Sequence, residues 1–234
     1  MPWFGIAGHP ALCHDGRRIA THMLQSDPKI KFNEVNHRYQ YDGKYIVNSV
    51  TRVIDDLTPE ARANIERTKD GPDGWEARGN ACHNALEKHL LGLAGETKNG
   101  LVYDEKWAPW IEPLLDHWLW DGCIVEAVEL RLCDPKKSLG GSLDFIISDK
   151  DGNRVLGDLK TVSSAKAAEM RKPADKQLGG YLQMLLDSHR FYVDKCVTLV
   201  AGPDKTRVIT SKPDDCLAAW LDAWMKFDAQ QPDF

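Results

Sequence analysis

The sequence has no Cys-x-x-Cys pair, although it contains six cysteines. Such pairs supply ligands in zinc ribbons and in many iron–sulfur sites, so neither kind of centre is expected. The cysteine spacing indicates no disulfide framework either, which favours a reducing cytoplasm over an oxidising compartment.

Long apolar runs and an excess of positive charge are also missing. No run approaches the roughly 20 residues that span a bilayer, and the first residues lack a secretory pattern, so we expect no membrane segment and no export. The net charge of −5 argues against non-specific binding to polyanions, so any nucleic-acid contact requires a local basic patch. No Gly-x-x-x-x-Gly-Lys-[Ser/Thr] pattern occurs, so an ATPase or helicase partner would be a separate chain.

The length of 234 residues accommodates one sizeable domain. We expect a loosely ordered N-terminal arm over residues 1–28 and a single domain over residues 29–234. A Trp-rich segment at residues 100–121 has two interpretations: its indoles either pack in the core or stack on unpaired bases, and packing is the commoner use.

A predicted β-hairpin carries the most informative side chains. Two strand-like runs, residues 143–147 and 154–160, flank a turn at residues 149–153. Pairing the positions across this turn places Asp144 directly opposite Asp158, where Cβ atoms are roughly 4.5–5.5 Å apart. Two carboxylates at that distance repel each other unless a cation lies between them, and Mg²⁺–oxygen bonds of about 2.0–2.1 Å fit the space.

Asp158 and Lys160 interrupt a strand that is otherwise apolar. Strand alternation places both side chains on one face, with Leu159 directed into the core on the other. The tripeptide Asp-x-Lys is common on solvated strand edges, but charges within a buried strand are normally paired or bound to metal. The apolar context therefore favours a site.

A helix predicted from Trp75 to Leu93 contributes an imidazole. His83 and Glu87 are four residues apart and share one helix face. A lone helical histidine is more often a packed or surface residue, but two aspartates with one imidazole suit a divalent cation. Glu129, on a strand predicted over residues 123–133, leads into the hairpin and is expected beside the aspartates, holding a second metal or a water.

Three further side chains have alternative interpretations. Ser49 precedes a short helix and either caps it or helps to bind phosphate at its N-terminus, and capping is the more frequent use. Gln177 and Tyr181 lie four apart, and hence side by side, on a further predicted helix.

A basic run follows the hairpin in this acidic chain. Residues 160–176 contain five basic and two acidic side chains, including Arg171 and Lys172. A charge run is usually a solvated surface, but this one directly follows the candidate site. Arg171 and Lys172 are therefore candidate DNA contacts.

Taken in order, these motifs resemble the PD-(D/E)XK nuclease superfamily, closest to the RecB-like exonuclease branch around the mitochondrial genome maintenance exonuclease and its phage and bacterial relatives. The motifs that carry the resemblance are His37-x-Tyr39, Asp42-Gly43, Asn48-Ser49-Val50-Thr51, Gly79-x-x-x-His83-x-x-x-Glu87, Gly141-x-x-Asp144, Asp158-x-Lys160 and Gln177-x-x-x-Tyr181. The resemblance covers roughly residues 32–200. Two departures stand out: Asp158 replaces the glutamate of many relatives, and the four cluster-binding cysteines of the iron–sulfur branch are missing.

The resemblance implies an α/β fold with a restriction-endonuclease-like core, in which helices flank a central mixed β-sheet and further helices are inserted. It implies one or two Mg²⁺ or Mn²⁺ ions and no iron–sulfur cluster. The implied ligands are His83, Asp144, Asp158 and the backbone carbonyl of Leu159, and Glu129 resembles the accessory acidic residue.

The resemblance also implies roles in the reaction. Lys160 would orient or deprotonate the attacking water, and Gln177 and Tyr181 would hold the DNA near the scissile phosphate. The expected activity is that of a metal-dependent deoxyribonuclease, foremost an exonuclease on single-stranded ends or flaps in recombination, repair or replication. Its setting would be the cytoplasm of a bacterium or a phage-infected cell, with recombination or replication proteins as partners. A structure-specific endonuclease of the same fold and a non-catalytic DNA-end-binding protein remain alternatives.

Overall fold

The computed structural model describes residues 23–33, 36–71, 74–95 and 101–231. The strands are β1 (Ile30–Asn33), β2 (Arg38–Tyr41), β3 (Lys44–Tyr45), β4 (Asn48–Ser49), β5 (Ile124–Asp134), β6 (Leu139–Ser148), β7 (Arg154–Thr161), β8 (Lys195–Gly202) and β9 (Lys205–Ser211). The helices are α1 (Val50–Val53), α2 (Pro59–Arg67), α3 (Trp75–Leu93), α4 (Ala108–Leu115), α5 (Ala165–Met170), α6 (Asp175–His189) and α7 (Pro213–Asp228). Short 3₁₀ turns occur at Glu105–Trp107 and Trp118–Trp120.

A six-stranded mixed sheet forms the centre of the domain. Its order is β4-β6-β7-β8-β9, and β5 also pairs with β6 from Leu139 to Ser148, except at Asp144. The β4–β6 and β7–β8 pairs are parallel, whereas the other pairs are antiparallel. The predicted α/β fold with a mixed central sheet is thus confirmed at this level.

Helices cover both faces of the sheet, each over its own apolar core. On one face, α6 and α7 bring Leu182 and Trp220 against Leu156 of β7. On the other face, α3 and α4 bring Leu86 and Ile111 into the cluster that holds Leu159 of β7 and Leu199 of β8. Of the described helices, none is both long and apolar enough to cross a bilayer.

A second, three-stranded antiparallel sheet consists of β1, β2 and β3. Its β2–β3 turn contains Asp42 (φ +49°) and Gly43 (φ +79°). Positive φ at both central residues is the geometry that favours Asp-Gly in two-residue hairpins. This sheet packs on β6 through Tyr39, whose ring would lie 2.9 Å from a Cβ at Gly140, so glycine there permits the close approach.

Of the predicted N-terminal arm, residues 1–22 lie outside the described residues. Within residues 23–28, Leu24 and Ser26 are bonded to β5. The Leu24 N–H donates to the Glu126 carbonyl at 2.7 Å, and Ser26 Oγ accepts a hydrogen bond from the β5 backbone at 2.9 Å. This part of the predicted arm is therefore docked on the domain.

The tryptophans of the 100–121 segment are used mainly in packing. Trp107 and Trp120 are buried in the core beneath α3. The Trp110 indole N–H donates to the Val162 carbonyl at 2.7 Å. Trp118 is the exposed member of the group.

Candidate functional site

The hairpin of β6 and β7 has the predicted register. The strands pair as far as Phe145 opposite Gly157, and Gly152 (φ +85°) lies in the turn. Asp144 and Asp158 are the next two positions. They lie just beyond the last backbone pair, at the positions that would face each other if the same register continued.

The sheet opens at this point. Residues 139–140 of β6 pair with β4, while β7 continues alongside β8, so among the described strands residues 141–144 have no partner on the side away from β5. The Leu159 N–H donates instead to Asp144 Oδ2 at 2.5 Å. Because the N–H and C=O of one strand residue point to the same side, the Leu159 carbonyl also faces this opening. We refer to it below as the sheet gap.

Glu129 lies on β5 at the position opposite Asp144. The flanking residues are paired in register, but these two are not. Glu129 has φ +47°, a left-handed conformation that is uncommon for residues other than glycine. Such strained positions concentrate at functional sites. Here the left-handed backbone changes the direction of the Glu129 side chain within the strand.

The direction of the side chains changes across this pair of residues. Leu143 packs on the α6 side of the sheet, whereas Phe145 packs on the α3 side. Their partners on β5, Leu130 and Val128, change sides in the same way. Residues two apart in a regular strand share a face of the sheet. In both strands, the side chains therefore change from one face to the other at the position of the two carboxylates.

His83, Glu129 and Asp144 form the one candidate metal cluster among the described residues, with a ligand atom from each within 4.8 Å of the others. His83 extends from α3 and places Nδ1 3.5 Å from Asp144 Oδ1. Burial alone would lower the pKa of His83, but attraction to Asp144 outweighs it and raises the pKa to about 9. Burial and repulsion by Asp144 raise the pKa of Glu129 to about 7.

Asp158 lies in the same cavity but outside that cluster. Its side chain is 1% exposed, and Oδ2 lies 2.7 Å from Lys160 Nζ. This oxygen has no aligned hydrogen-bond donor among the described residues, so the Lys160 contact is an ion pair without hydrogen-bond geometry. Burial raises the pKa of Asp158, against the attraction of Lys160. The resemblance groups Asp158 with His83 and Asp144 and expects Glu129 beside them, whereas the cluster of ligand atoms consists of His83, Glu129 and Asp144.

A cavity of about 670 Å³ unites most of the predicted residues. Its lining includes Ser49, His83, Glu129, Asp144, Asp158, Lys160, Gln177 and Tyr181. The Leu159 side chain is buried in the core, as predicted. Arg171 and Lys172 are exposed and do not line the cavity; the Arg171 carbonyl accepts a hydrogen bond from the Arg207 guanidinium at 3.3 Å.

Helix α6 supplies the side of the cavity next to β6. Gln177 Nε2 donates to Tyr181 Oη at 2.9 Å. A Cβ at Gly141 would lie 2.8 Å from the Tyr181 ring, so glycine makes room for this phenol beside β6. On α1, Ser49 Oγ accepts from the Arg52 N–H at 3.2 Å, which confirms the capping interpretation.

Several residues line the cavity although the sequence alone indicates no role for them. Arg131 lies two residues after Glu129 on β5. Strand alternation, which places residues two apart on one face, is the sequence feature that could have indicated its place in the cavity. Glu87 lies one helical turn beyond His83. Phe32 and His37 come from the separate small sheet, and no local pattern in the sequence indicates that this sheet reaches the site.

The fold and site define an α/β protein with an acidic, histidine-containing cavity at a break in its central sheet. No family model matches the chain, and no curated protein matches it. Among solved structures, SSO0001 matches with 20% identity over 41% of this chain and 44% of that chain, at a TM-score of 0.27. This chain therefore spans less than half of that protein, and a likeness at this level carries no information about fold or function.

Proposed function

We propose that the chain is a metal-dependent deoxyribonuclease with a PD-(D/E)XK core, acting foremost as an exonuclease on single-stranded DNA ends or flaps. The observation that carries the proposal is the sheet gap. There Asp144, Asp158 and Lys160 of the hairpin meet His83 of α3 and Glu129 of β5 in one cavity.

The side chains at the gap suit Mg²⁺ or Mn²⁺. His83, Glu129 and Asp144 would hold the ion, and carboxylate oxygens are the donors these cations prefer. The Leu159 carbonyl and the incompletely satisfied Asp158 carboxylate are further oxygen donors beside the gap. When bound, such an ion lowers the pKa of a water molecule and offsets the charge of a phosphodiester.

Lys160 is placed to act on the phosphate or on the attacking water. Its side chain is 24% exposed to the cavity, and its Nζ is held by Asp158 at 2.7 Å. An ammonium group fixed beside a phosphodiester donates hydrogen bonds to oxygens that gain negative charge during hydrolysis. Asp158 thereby positions Lys160, in addition to offering an oxygen to a cation.

Gln177 and Tyr181 are placed to hold the DNA backbone. The amide of Gln177 donates to the Tyr181 oxygen, so the phenol proton of Tyr181 can be directed toward another acceptor. A phosphate oxygen in the cavity is such an acceptor. The two residues would then fix the strand relative to Asp144 and Lys160.

The test is cleavage of end-labelled single-stranded DNA with Mg²⁺, with Mn²⁺ and with EDTA. The wild type should produce short products with either metal, and EDTA should stop the reaction. Asp158→Asn keeps the size of the side chain and should abolish cleavage. Asp151→Asn, an exposed turn position on the same hairpin outside the cavity, is the matched control and should cleave normally.

Circular single strands separate the two nuclease classes, because an exonuclease requires an end. Cleavage of linear but not circular DNA supports the exonuclease, and cleavage of both supports the endonuclease. Folded wild-type protein that yields no metal-dependent product would refute the nuclease proposal. Full activity of Asp158→Asn would refute the assignment of the site.

A further inference from the structure

Aromatic side chains form part of the wall of the cavity. Phe32 and His37 of the small β1–β3 sheet line the same cavity as Asp144 and Asp158. The His37 side chain is exposed, and Phe32 is partly buried. Phe32 also packs against the small core that contains Tyr39, and neither residue has a place in the chemistry proposed above.

This wall has a fixed position relative to the acidic residues. The Phe32 and Tyr39 rings lie 4.6 Å apart between centroids, and Phe32 and His37 lie 5.9 Å apart edge to face. Tyr39 Oη shares a hydrogen bond of 3.0 Å with Ser142 Oγ, two residues before Asp144. The aromatic wall is thus joined to the strand that carries the central carboxylate.

The wall also carries a positive charge. The Arg131 guanidinium lies over the Phe32 ring, 5.1 Å from its centroid, and Arg131 lines the cavity two residues from Glu129. Surfaces that bind single-stranded nucleic acid combine aromatic rings, on which bases stack, with cations that face the backbone. The wall has both components.

The size of the cavity limits what can occupy it. Its volume of about 670 Å³ is in the range of pockets that enclose a small ligand, roughly 300–1,000 Å³. A base pair within a duplex does not expose its ring faces, whereas an unpaired base at a strand end does.

We propose that the Phe32–His37 wall is a subsite for one unpaired nucleobase of the strand whose phosphate lies at the sheet gap. This inference rests on the proposed function and adds the substrate class: the enzyme requires an unstacked base next to the phosphate it cleaves. The subsite contacts the face of the base and not its hydrogen-bonding edges, so it accepts all four bases.

The test is binding of the full chain, in EDTA so that cleavage is prevented, to short single strands carrying 2-aminopurine at the 5′ or the 3′ end. Matched strands carry an abasic residue at the same position. The wild type should bind one base-bearing strand about tenfold more tightly than its abasic counterpart, since stacking on one aromatic side chain supplies such a factor. The fluorescence of 2-aminopurine should fall on binding because the base stacks.

Two variants locate the effect. His37→Ala changes an exposed side chain, and Phe32→Leu keeps an apolar side chain while removing the ring; thermal unfolding confirms that both are folded. Both should bring the ratio of base-bearing to abasic affinity close to one. Tyr45→Ala is the matched control, because Tyr45 is a 62% exposed aromatic of the same small sheet that lies outside this cavity.

Equal affinity of the wild type for base-bearing and abasic strands would overturn the inference. The inference would also be overturned if the ratio of base-bearing to abasic affinity were unchanged in both variants. The same holds if Tyr45→Ala lowered this ratio as much as they do. The nuclease proposal is tested separately by cleavage with Mn²⁺. Base-dependent binding without cleavage supports the subsite and refutes the nuclease proposal. Cleavage without base-dependent binding supports the nuclease proposal and refutes the subsite.

Discussion

Asp149 holds the turn between β6 and β7, and its replacement tests how much its charge stabilises this turn. Its carboxylate accepts hydrogen bonds from the backbone and side-chain amides of Asn153 at 2.9 Å and pairs with Lys195 Nζ at 3.0 Å. Burial alone would raise the pKa of Asp149, but these partners outweigh it and lower the pKa to about 2.

The size of the effect follows from the pKa. A change from 3.8 to about 2 corresponds to about 2.4 kcal/mol at ~1.36 kcal/mol per unit, and this is an upper limit because the side chain is 16% exposed. Since the folded-state pKa lies below the unfolded value, the stabilisation is complete above about pH 4 and is lost as the pH falls through about 2.

The assay is urea unfolding of the wild type and of Asp149→Asn between pH 7 and pH 2.5. The variant should be less stable by about 2 kcal/mol at pH 7, and the difference should narrow as the pH falls below about 4. Asp151→Asn, an exposed neighbour in the turn, is the control and should show little change. A difference that stays constant with pH would show that the Asp149 charge does not stabilise the turn.

Three further predictions concern the site. Lys160→Ala should abolish cleavage while Mn²⁺ binding, measured by calorimetry, stays close to the wild type; loss of metal binding would contradict the role assigned to this lysine. Gly141→Ala places a Cβ 2.8 Å from the Tyr181 ring and should cost about 1–3 kcal/mol in urea unfolding and reduce cleavage, whereas an unperturbed variant would show that the ring moves freely. Replacing Arg171 and Lys172 by serine should lower the salt dependence of DNA binding in EDTA by about one unit of log–log slope per lost phosphate contact, and an unchanged slope would identify them as solvated surface.

Local patterns predicted much of the fold. The helix α3 has the predicted limits because its apolar stripe follows the helical period between a Gly-containing break and Leu93. The β6–β7 register was predicted because a turn with Gly152 fixes the pairing of both strands, and that register places Asp144 opposite Asp158.

The grouping at the site could not be predicted in the same way. Regular alternation would keep Leu143 and Phe145 on one face of the sheet. In the structure their side chains lie on opposite faces, and the change occurs beside Glu129, whose backbone is left-handed. The resemblance makes Asp158 a ligand and Glu129 an accessory residue, whereas the ligand atoms that lie together belong to His83, Glu129 and Asp144. The small sheet reaches the cavity through the close packing of Tyr39 on Gly140, a contact between distant residues that no periodicity indicates.

The sheet gap also has a mechanical consequence for the domain. Strands β5 and β6 form one half of the central sheet, and strands β7 to β9 form the other. Backbone pairs join the two halves over four positions, from Phe145 to Ser148, and end there. Where the carboxylates lie, the two halves are joined by the hydrogen bond from the Leu159 N–H to the Asp144 side chain and by no backbone pair among the described residues. A cation that drew ligands from Asp144 on one half and from Leu159 or Asp158 on the other would act as a cross-link, so substrate hydrolysis and the rigidity of the whole sheet would depend on the same bonds.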